Sequence, residues 1–291
     1  MGGQQQSSLV KLIECPRDAM QGWKEFIPTK SKIEYINSLL QVGFDTIDFG
    51  SFVSSKAIPQ MADTKNVVLN LDLDNSNTKL LAIVANVRGA EEACNFKQIS
   101  YLGFPFSISE TFQKRNTNSS INESLKTVEQ IQQLCMNTNK ELVVYMSMAF
   151  GNPYGDEYNQ AVLYHWTKQI INRGIKTISL SDTVGVATPA QISLALESLL
   201  PCNSHIEFVV LVHSTQQNWR EKTDASFMKG CNRFDGALKG IGGCPMANDE
   251  LVGNMNTEWL VDYFREKNVL PALDHKAFKN SIAMAEKIFG V

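Results

Sequence analysis

Short apolar runs alternate with segments of helical period along nearly the whole chain. The runs are rich in β-branched residues and apolar on both faces, which is typical of the buried strands of a parallel sheet. The segments between them repeat apolar positions every three or four residues, as helices that cover such a sheet do. The predicted strands occupy residues 10–15, 45–52, 79–86, 99–107, 141–150, 176–182, 205–213 and 232–240. The predicted helices occupy residues 31–43, 58–71, 89–96, 120–139, 157–174, 188–200, 218–230 and 257–268.

The number of these units predicts the fold class. Eight strand–helix pairs in 291 residues favour one closed α/β barrel, the (β/α)8 or TIM barrel of about 250 residues, over a doubly wound open sheet. No linker rich in proline, glycine or serine and no change of composition divides the chain. We therefore expect a single domain over residues 10–291, preceded by a disordered polar tail over residues 1–9.

Composition and charge narrow the class of partner. A net charge of −3 and an isoelectric point near 5.9 give no reason to expect a nucleic acid or an anionic membrane as a partner. No apolar run approaches the ~20 residues that a membrane-spanning helix requires. The six cysteines are scattered, with no CxxC pair and no recognisable secretory signal before them. We read them as reduced thiols and expect a cytoplasmic protein.

Candidate chemistry lies where the predicted strands end, because the active sites of (β/α)8 barrels are built at the carboxyl ends of their strands. Polar side chains that follow or end these strands include Arg17, Asp18, Asp48, His213, Cys244 and Asn254. The carboxylate of Asp18, the imidazole of His213 and the amide oxygen of Asn254 are suitable ligands for Mg²⁺ or Mn²⁺. The sequence therefore indicates a candidate divalent-metal site at this end of the barrel.

Two further residues have candidate catalytic roles. Arg17 could stabilise a developing enolate or hold a thioester carbonyl, and Cys244, in a glycine-rich loop, could transfer a proton. Each residue also has a simpler interpretation. Arg17 and Asp18 could form a surface salt bridge, His213 could be a core histidine, Cys244 a small apolar residue, and Asn254 a helix cap.

Four motifs together carry a resemblance to a known family. They are "ECPRDAMQ", "DFGSFVSSKAIPQM", "SLSDTVGVATP" and "GIGGCPMANDELVGN". With the eight β/α units, they resemble the 3-hydroxy-3-methylglutaryl-CoA lyase family of metal-dependent TIM barrels. The residues of these motifs are more similar to the bacterial branch of the family. The resemblance extends from about residue 11 to residue 264.

The resemblance implies an activity and its requirements. It implies cleavage of 3-hydroxy-3-methylglutaryl-CoA to acetyl-CoA and acetoacetate, a reaction of leucine degradation and ketone-body metabolism. It also implies a divalent metal (Mg²⁺ or Mn²⁺), an acyl-CoA substrate and a homodimer. In this comparison Asp18, His213 and Asn254 are metal ligands, Arg17 stabilises the enolate, and Cys244 is a loop thiol involved in proton transfer.

Two positions depart from the family pattern. Asp48 stands where much of the family has a glutamate that supports the site. The family also has a His-x-His at the end of the seventh strand, and here Leu211 occupies the place of its first histidine. That histidine serves the family both at the metal and in proton transfer, and a leucine has no lone pair for either. Three interpretations remain: an active lyase, a related aldolase with another substrate, or a catalytically impaired homologue.

Overall fold

Eight parallel strands close into a barrel in which every strand pairs with its neighbours in chain order. The computed structural model describes residues 9–243 and 253–291. The predicted single-domain (β/α)8 TIM barrel is confirmed. Residues 1–8 lie outside the described part, so the predicted tail stays a prediction. The strands are β1 (Lys11–Glu14), β2 (Thr46–Phe52), β3 (Lys79–Val84), β4 (Ile99–Ser107), β5 (Glu141–Ser147), β6 (Thr177–Asp182), β7 (Glu207–Val212) and β8 (Arg233–Gly236).

Helices connect the strands and cover the outside of the barrel. They are α1 (Pro16–Gln21), α2 (Thr29–Leu40), α3 (Thr64–Leu69), α4 (Val87–Cys94), α5 (Glu110–Thr117), α6 (Ile121–Asn137), α7 (Gln160–Ile171), α8 (Pro189–Leu199), α9 (Trp219–Met228), α10 (Thr257–Glu266) and α11 (His275–Phe289). None of the described helices is both long enough and apolar enough to cross a bilayer.

The sequence pattern missed α1, α5 and α11. The first two have only six and eight residues, and each directly follows a strand. Helix α11 has fifteen residues and a recognisable start, because Asp274 accepts hydrogen bonds from two amides of its first turn. It packs against α2, where Ser38 and Ser281 are hydrogen-bonded at 2.9 Å.

The barrel interior changes character along its axis. At the amino end, the buried guanidinium of Arg233 donates to Glu207 at 2.8 Å and lies 5.3 Å from the ring of Tyr101. Above it, an apolar layer is formed by Leu81, Tyr101, Val143 and Tyr145, with Ile83 and Leu211 packed against it. The interior is therefore filled at its amino end and middle, and its cavity lies at the carboxyl ends of the strands.

The barrel closes where β1 meets β8, and a buried carboxyl group reinforces this closure. Glu14, which pairs in register with Gly236, is fully buried. Its side chain accepts hydrogen bonds from the Leu238 amide at 2.8 Å and from the Thr257 hydroxyl at 2.6 Å. Burial raises the pKa of Glu14 to about 8, so this carboxyl group is mostly protonated at neutral pH.

This raised pKa predicts a pH dependence of stability. The folded state holds the proton more tightly than the unfolded chain, so the contribution of Glu14 is lost as the pH rises through its folded pKa. We expect the free energy of unfolding to fall by roughly 2 kcal/mol between pH 6 and pH 8 through this group, and Glu14→Gln to remove that fall. Urea denaturation of both proteins at pH 6, 7 and 8 measures the difference. Parallel pH profiles would contradict the assignment.

Candidate active site

A cavity of about 240 Å³ opens at the carboxyl ends of the strands. Five of the six predicted site residues line it: Arg17, Asp18, Asp48, His213 and Asn254. The structure thus brings together side chains that were selected from four strand ends of the sequence. The sixth, Cys244, lies outside the described residues, so its role stays a prediction.

Arg17 is held between two carboxylates. Its Nη2 donates to Asp48 Oδ2 at 2.5 Å, and its Nε donates to the same oxygen at 3.0 Å. Its Nη1 donates to Asp18 Oδ1 at 2.9 Å. The Arg17 and Asp18 side chains are only 12% and 18% exposed, so this is not a surface salt bridge.

The charges of this cluster depend on one another. Burial opposes the charge of Arg17, but the carboxylates of Asp48 and Asp18 keep the pKa of the guanidinium above its ordinary value. Burial raises the pKa of Asp48 to about 6, and Arg17 limits that rise. Both groups are therefore charged at neutral pH, and the bidentate contact fixes the guanidinium at the cavity wall.

Asp18 and Asn254 connect the segment after β1 with the segment after β8. Asp18 accepts from Gln21 Nε2 at 2.5 Å and from Asn254 Nδ2 at 2.8 Å. Asn254 Nδ2 also donates to the Ile241 carbonyl at 2.9 Å. The amide nitrogen is thereby committed to two acceptors, and the amide oxygen is left as a donor atom for a ligand. Asn256, rather than Asn254, caps α10.

The glycine-rich loop has a steric reason for its composition. A Cβ atom at Gly242 would lie 2.5 Å from Asn254 Nδ2 and 2.9 Å from the main-chain oxygen of Asp18, and its φ is +109°. Only glycine accepts both that backbone conformation and that approach without strain. Gly242 therefore packs directly on the Asp18–Asn254 pair.

His213 has one free nitrogen. Its Nδ1 lies 2.6 Å from the carbonyl oxygen of Asp182, so Nδ1 carries the proton and donates it to that oxygen. Its Nε2 is buried and has no hydrogen-bond partner within the described residues. This is the tautomer that a metal-binding histidine adopts, because the second nitrogen is fixed by its own hydrogen bond.

The donor set fits a hard divalent cation that retains water. The structure offers one imidazole nitrogen, one carboxylate and one amide oxygen at the cavity wall. Three protein ligands suit Mg²⁺ or Mn²⁺, because these ions can complete their coordination with water. In the part of the chain that the structure describes, no three His, Cys, Asp or Glu side chains are grouped as a metal site. A metal held here would therefore depend on Asn254 and on water as well as on Asp18 and His213.

Leu211 lies inside the barrel, two residues before His213 on the same strand end. Its side chain packs against the apolar layer that contains Tyr145 and forms part of the cavity wall. A side chain at this position is thus directed towards the site, as the family pattern implies for its first histidine. Here it supplies apolar surface and no ligand.

Sequence reasoning missed the buried cation behind His213. Lys222 of α9 is 2% exposed and donates to Asp182 Oδ2 at 2.9 Å. It also donates to the His213 carbonyl at 2.9 Å and to the Gly185 carbonyl at 3.3 Å. Lys222 therefore fixes the ends of β6 and β7 relative to each other, and with them the ring of His213. The only sequence signal was a lysine on the buried face of a predicted helix.

Asp235 was also missed. It lies on β8, is 5% exposed and lines the cavity. Its signal was an acidic residue inside a predicted strand, next to Phe234, which packs outward against Phe264. Because side chains alternate along a strand, an outward Phe234 implies an inward Asp235.

Loss of Lys222 should be costly because Asp182 would remain buried and unpaired. We expect Lys222→Met to lower the free energy of unfolding by about 3–5 kcal/mol. The matched control is Lys229→Met at the carboxyl end of the same helix, whose pair with Glu197 is 35% and 53% exposed. We expect its loss to stay below about 1 kcal/mol. Urea denaturation compares the two. Equal losses would show that the buried pair has no special weight.

Fold and site together define a (β/α)8-barrel enzyme with oxygen and imidazole donors at the carboxyl ends of its strands. The chain belongs to the HMGL-like family, whose model matches residues 10–284. Membership of this family makes it an enzyme similar to the hydroxymethylglutaryl-CoA lyases, and the resemblance stated from the sequence is confirmed.

Individual proteins that are similar to this chain carry names from the same family. The cytoplasmic 3-hydroxy-3-methylglutaryl-CoA lyase of Rattus norvegicus is 34% identical over 255 residues, which are 87% of this chain and 73% of that protein. The hydroxymethylglutaryl-CoA lyase YngG of Bacillus subtilis is 32% identical over 262 residues, covering 87% of this chain and 84% of the relative. An HMG-CoA lyase of Acinetobacter baumannii, solved with coenzyme A and 3-methylmalate, superposes with a TM-score of 0.89 at 28% identity, covering 97% of this chain and 92% of the other.

Proposed function

We propose that this protein is a divalent-metal-dependent carbon–carbon lyase that cleaves 3-hydroxy-3-methylglutaryl-CoA to acetyl-CoA and acetoacetate. The observation that carries the proposal is the convergence of Arg17, Asp18, Asn254 and a His213 with a free Nε2 in one cavity. Relatives with the same fold that are named for this reaction support it, as does a relative solved with coenzyme A. The acyl-CoA substrate and a place in leucine degradation belong to the same proposal.

Asp18, His213 and Asn254 are the residues that would hold the metal. When bound, Mg²⁺ or Mn²⁺ supplies Lewis-acid polarisation of substrate oxygens and orients them. The hydrogen bond from His213 Nδ1 to the Asp182 carbonyl keeps Nε2 available. The hydrogen bond from Gln21 and the ion pair with Arg17 hold the Asp18 carboxylate in one orientation.

Arg17 is the residue best placed to stabilise negative charge on the substrate. A base removes the proton of the 3-hydroxyl group, the C2–C3 bond breaks, and the thioester part departs as an enolate. A guanidinium fixed in advance by Asp48 and Asp18 needs little reorganisation energy when that charge develops. The enolate then takes a proton at C2, and Cys244 is the candidate acid that the family resemblance implies.

A second function is favoured by one observation, the apolar side chain of Leu211 in the cavity wall. A site that lacks the family's first imidazole could belong to a catalytically impaired homologue or to a related aldolase with a different substrate. Mg²⁺ usually keeps several waters, so the lost ligand is replaceable. The lost proton-transfer group weighs more, because such groups contribute about 10²–10⁴-fold in rate.

Two further proposals concern the setting of the enzyme. We propose that it acts in the cytoplasm, in keeping with the relatives whose names include that location. We also propose a homodimer, which size-exclusion chromatography with light scattering would distinguish from a monomer.

The metal assignment makes a direct prediction. Wild-type protein with Mg²⁺ or Mn²⁺ should release acetoacetate from 3-hydroxy-3-methylglutaryl-CoA, and chelator should stop the release. Asp18→Ala should abolish turnover and leave the circular dichroism spectrum unchanged. The control Asp262→Ala removes a carboxylate that is 67% exposed on α10 and should keep full activity. Full turnover by Asp18→Ala would disprove the metal-site assignment.

The variant Leu211→His separates the alternatives. If the wild type and Leu211→His both turn over, the lyase function stands and the missing imidazole is replaceable. A silent wild type beside an active Leu211→His would identify an impaired homologue. If both are silent, a screen of other hydroxyacyl thioesters and free 2-oxoacid aldol products tests the aldolase alternative.

A further inference from the structure

The carboxyl group of Asp235 is buried and unsatisfied. The residue is 5% exposed, and its Oδ2 has no hydrogen-bond partner within residues 9–243 and 253–291. Buried polar side-chain atoms nearly always have a partner, and the exceptions call for a specific explanation such as a catalytic role. The residue lines the cavity that a substrate would fill.

Asp235 stands beside Leu211 in the barrel. The pairing of β7 with β8 places Val210 opposite Phe234, so the next residues of the two strands, Leu211 and Asp235, lie at one level. Val210 and Phe234 pack outward with the helices, and their successors therefore point inward. Both of those inward residues line the same cavity. The free carboxyl thus adjoins the position where the family pattern has its first histidine.

The surroundings of Asp235 keep its proton exchangeable. Charged or titratable groups act on it from its own strand and from the elements packed against it: Arg233 on β8, Asp48 on β2, Arg17 and Asp18 on α1, Cys15 after β1 and Tyr145 on β5. Burial raises the pKa of Asp235 to about 7, and the guanidinium groups of Arg233 and Arg17 limit the rise. A general base works best with a pKa near the working pH.

We propose that Asp235 is the general base that removes the proton of the substrate hydroxyl, in place of the histidine that this chain lacks at position 211. This inference rests on the proposed lyase function. The hydroxyl O–H bond breaks, and its electron pair forms the new ketone. The electron pair of the C2–C3 bond passes to the thioester enolate. The enolate then takes one proton at C2 from the acid of the proposed mechanism, Cys244. Exchange of one proton between Asp235 and that acid, through solvent, returns both groups to their starting states.

Asp235 is not placed to be a replacement metal ligand. No three His, Cys, Asp or Glu side chains of the described residues are grouped as a metal site, so Asp235 does not complete a cluster with Asp18 and His213. None of its atoms is hydrogen-bonded to the residues of the Asp18–Asn254 pair.

The test compares Asp235→Asn with the wild type and with Leu211→His/Asp235→Asn. We expect Asp235→Asn, which keeps the shape of the side chain, to lower kcat by about 10²–10⁴-fold with unchanged Mn²⁺ affinity in calorimetry. Adding Leu211→His restores an imidazole at the neighbouring position and should recover at least about tenfold of that loss. The control Ser179→Ala removes a buried hydroxyl on β6 that also has no partner within the described residues, and it should leave kcat unchanged.

Each other outcome counts against the proposal. An Asp235→Asn variant with wild-type kcat would overturn the role of Asp235 and leave the lyase function standing. A loss that comes with weaker Mn²⁺ binding, or that Leu211→His does not relieve, would indicate a structural role and overturn it as well. A wild type without turnover would overturn the proposed function, and the inference about Asp235 with it.

Discussion

The pairing of β1 with β8 is the constraint on which the rest of the structure depends. Four consecutive residue pairs join these strands, from Lys11 with Arg233 to Glu14 with Gly236. This closure brings the segment after β1 against the loop after β8, so that Asn254 reaches Asp18 at 2.8 Å across 236 positions of sequence. Gly242 permits the approach. The buried Glu14 at the end of β1 accepts hydrogen bonds from Leu238, after β8, and from Thr257 of α10. Without closure the donor atoms would not share one cavity.

Buried charge is organised around this cavity in pairs. Arg17 compensates two carboxylates, and Lys222 compensates Asp182 while it holds the main chain of His213. Such pairs are strongly destabilising when one member is lost, so they fix geometry as well as charge. Asp235 is the exception, since its carboxyl has no partner of this kind within the described residues. An unpaired carboxyl beside a substrate cavity is what a proton-transfer step requires.

Much of this arrangement was predictable from sequence, for a physical reason. Strand and helix periods are local, so the eight units and the converging strand ends could be read directly, and the alternation of side chains placed His213 and Leu211 on one side of β7. Helix α11 was overlooked although Asp274 marks its start. Lys222 and Asp235 could not be assigned, because their meaning depends on partners, or a lack of partners, that only the closed barrel defines. The role of Cys244 stays a prediction.

The central claim is that a divalent metal is held with a single imidazole, that of His213. Electron spin-echo spectroscopy of Mn²⁺ bound to protein labelled with ¹⁵N-histidine tests it most directly, since a coordinated imidazole nitrogen modulates the echo. The account predicts a modulation from one imidazole that disappears in His213→Gln. A bound Mn²⁺ without imidazole modulation, or a modulation that persists in His213→Gln, would contradict it.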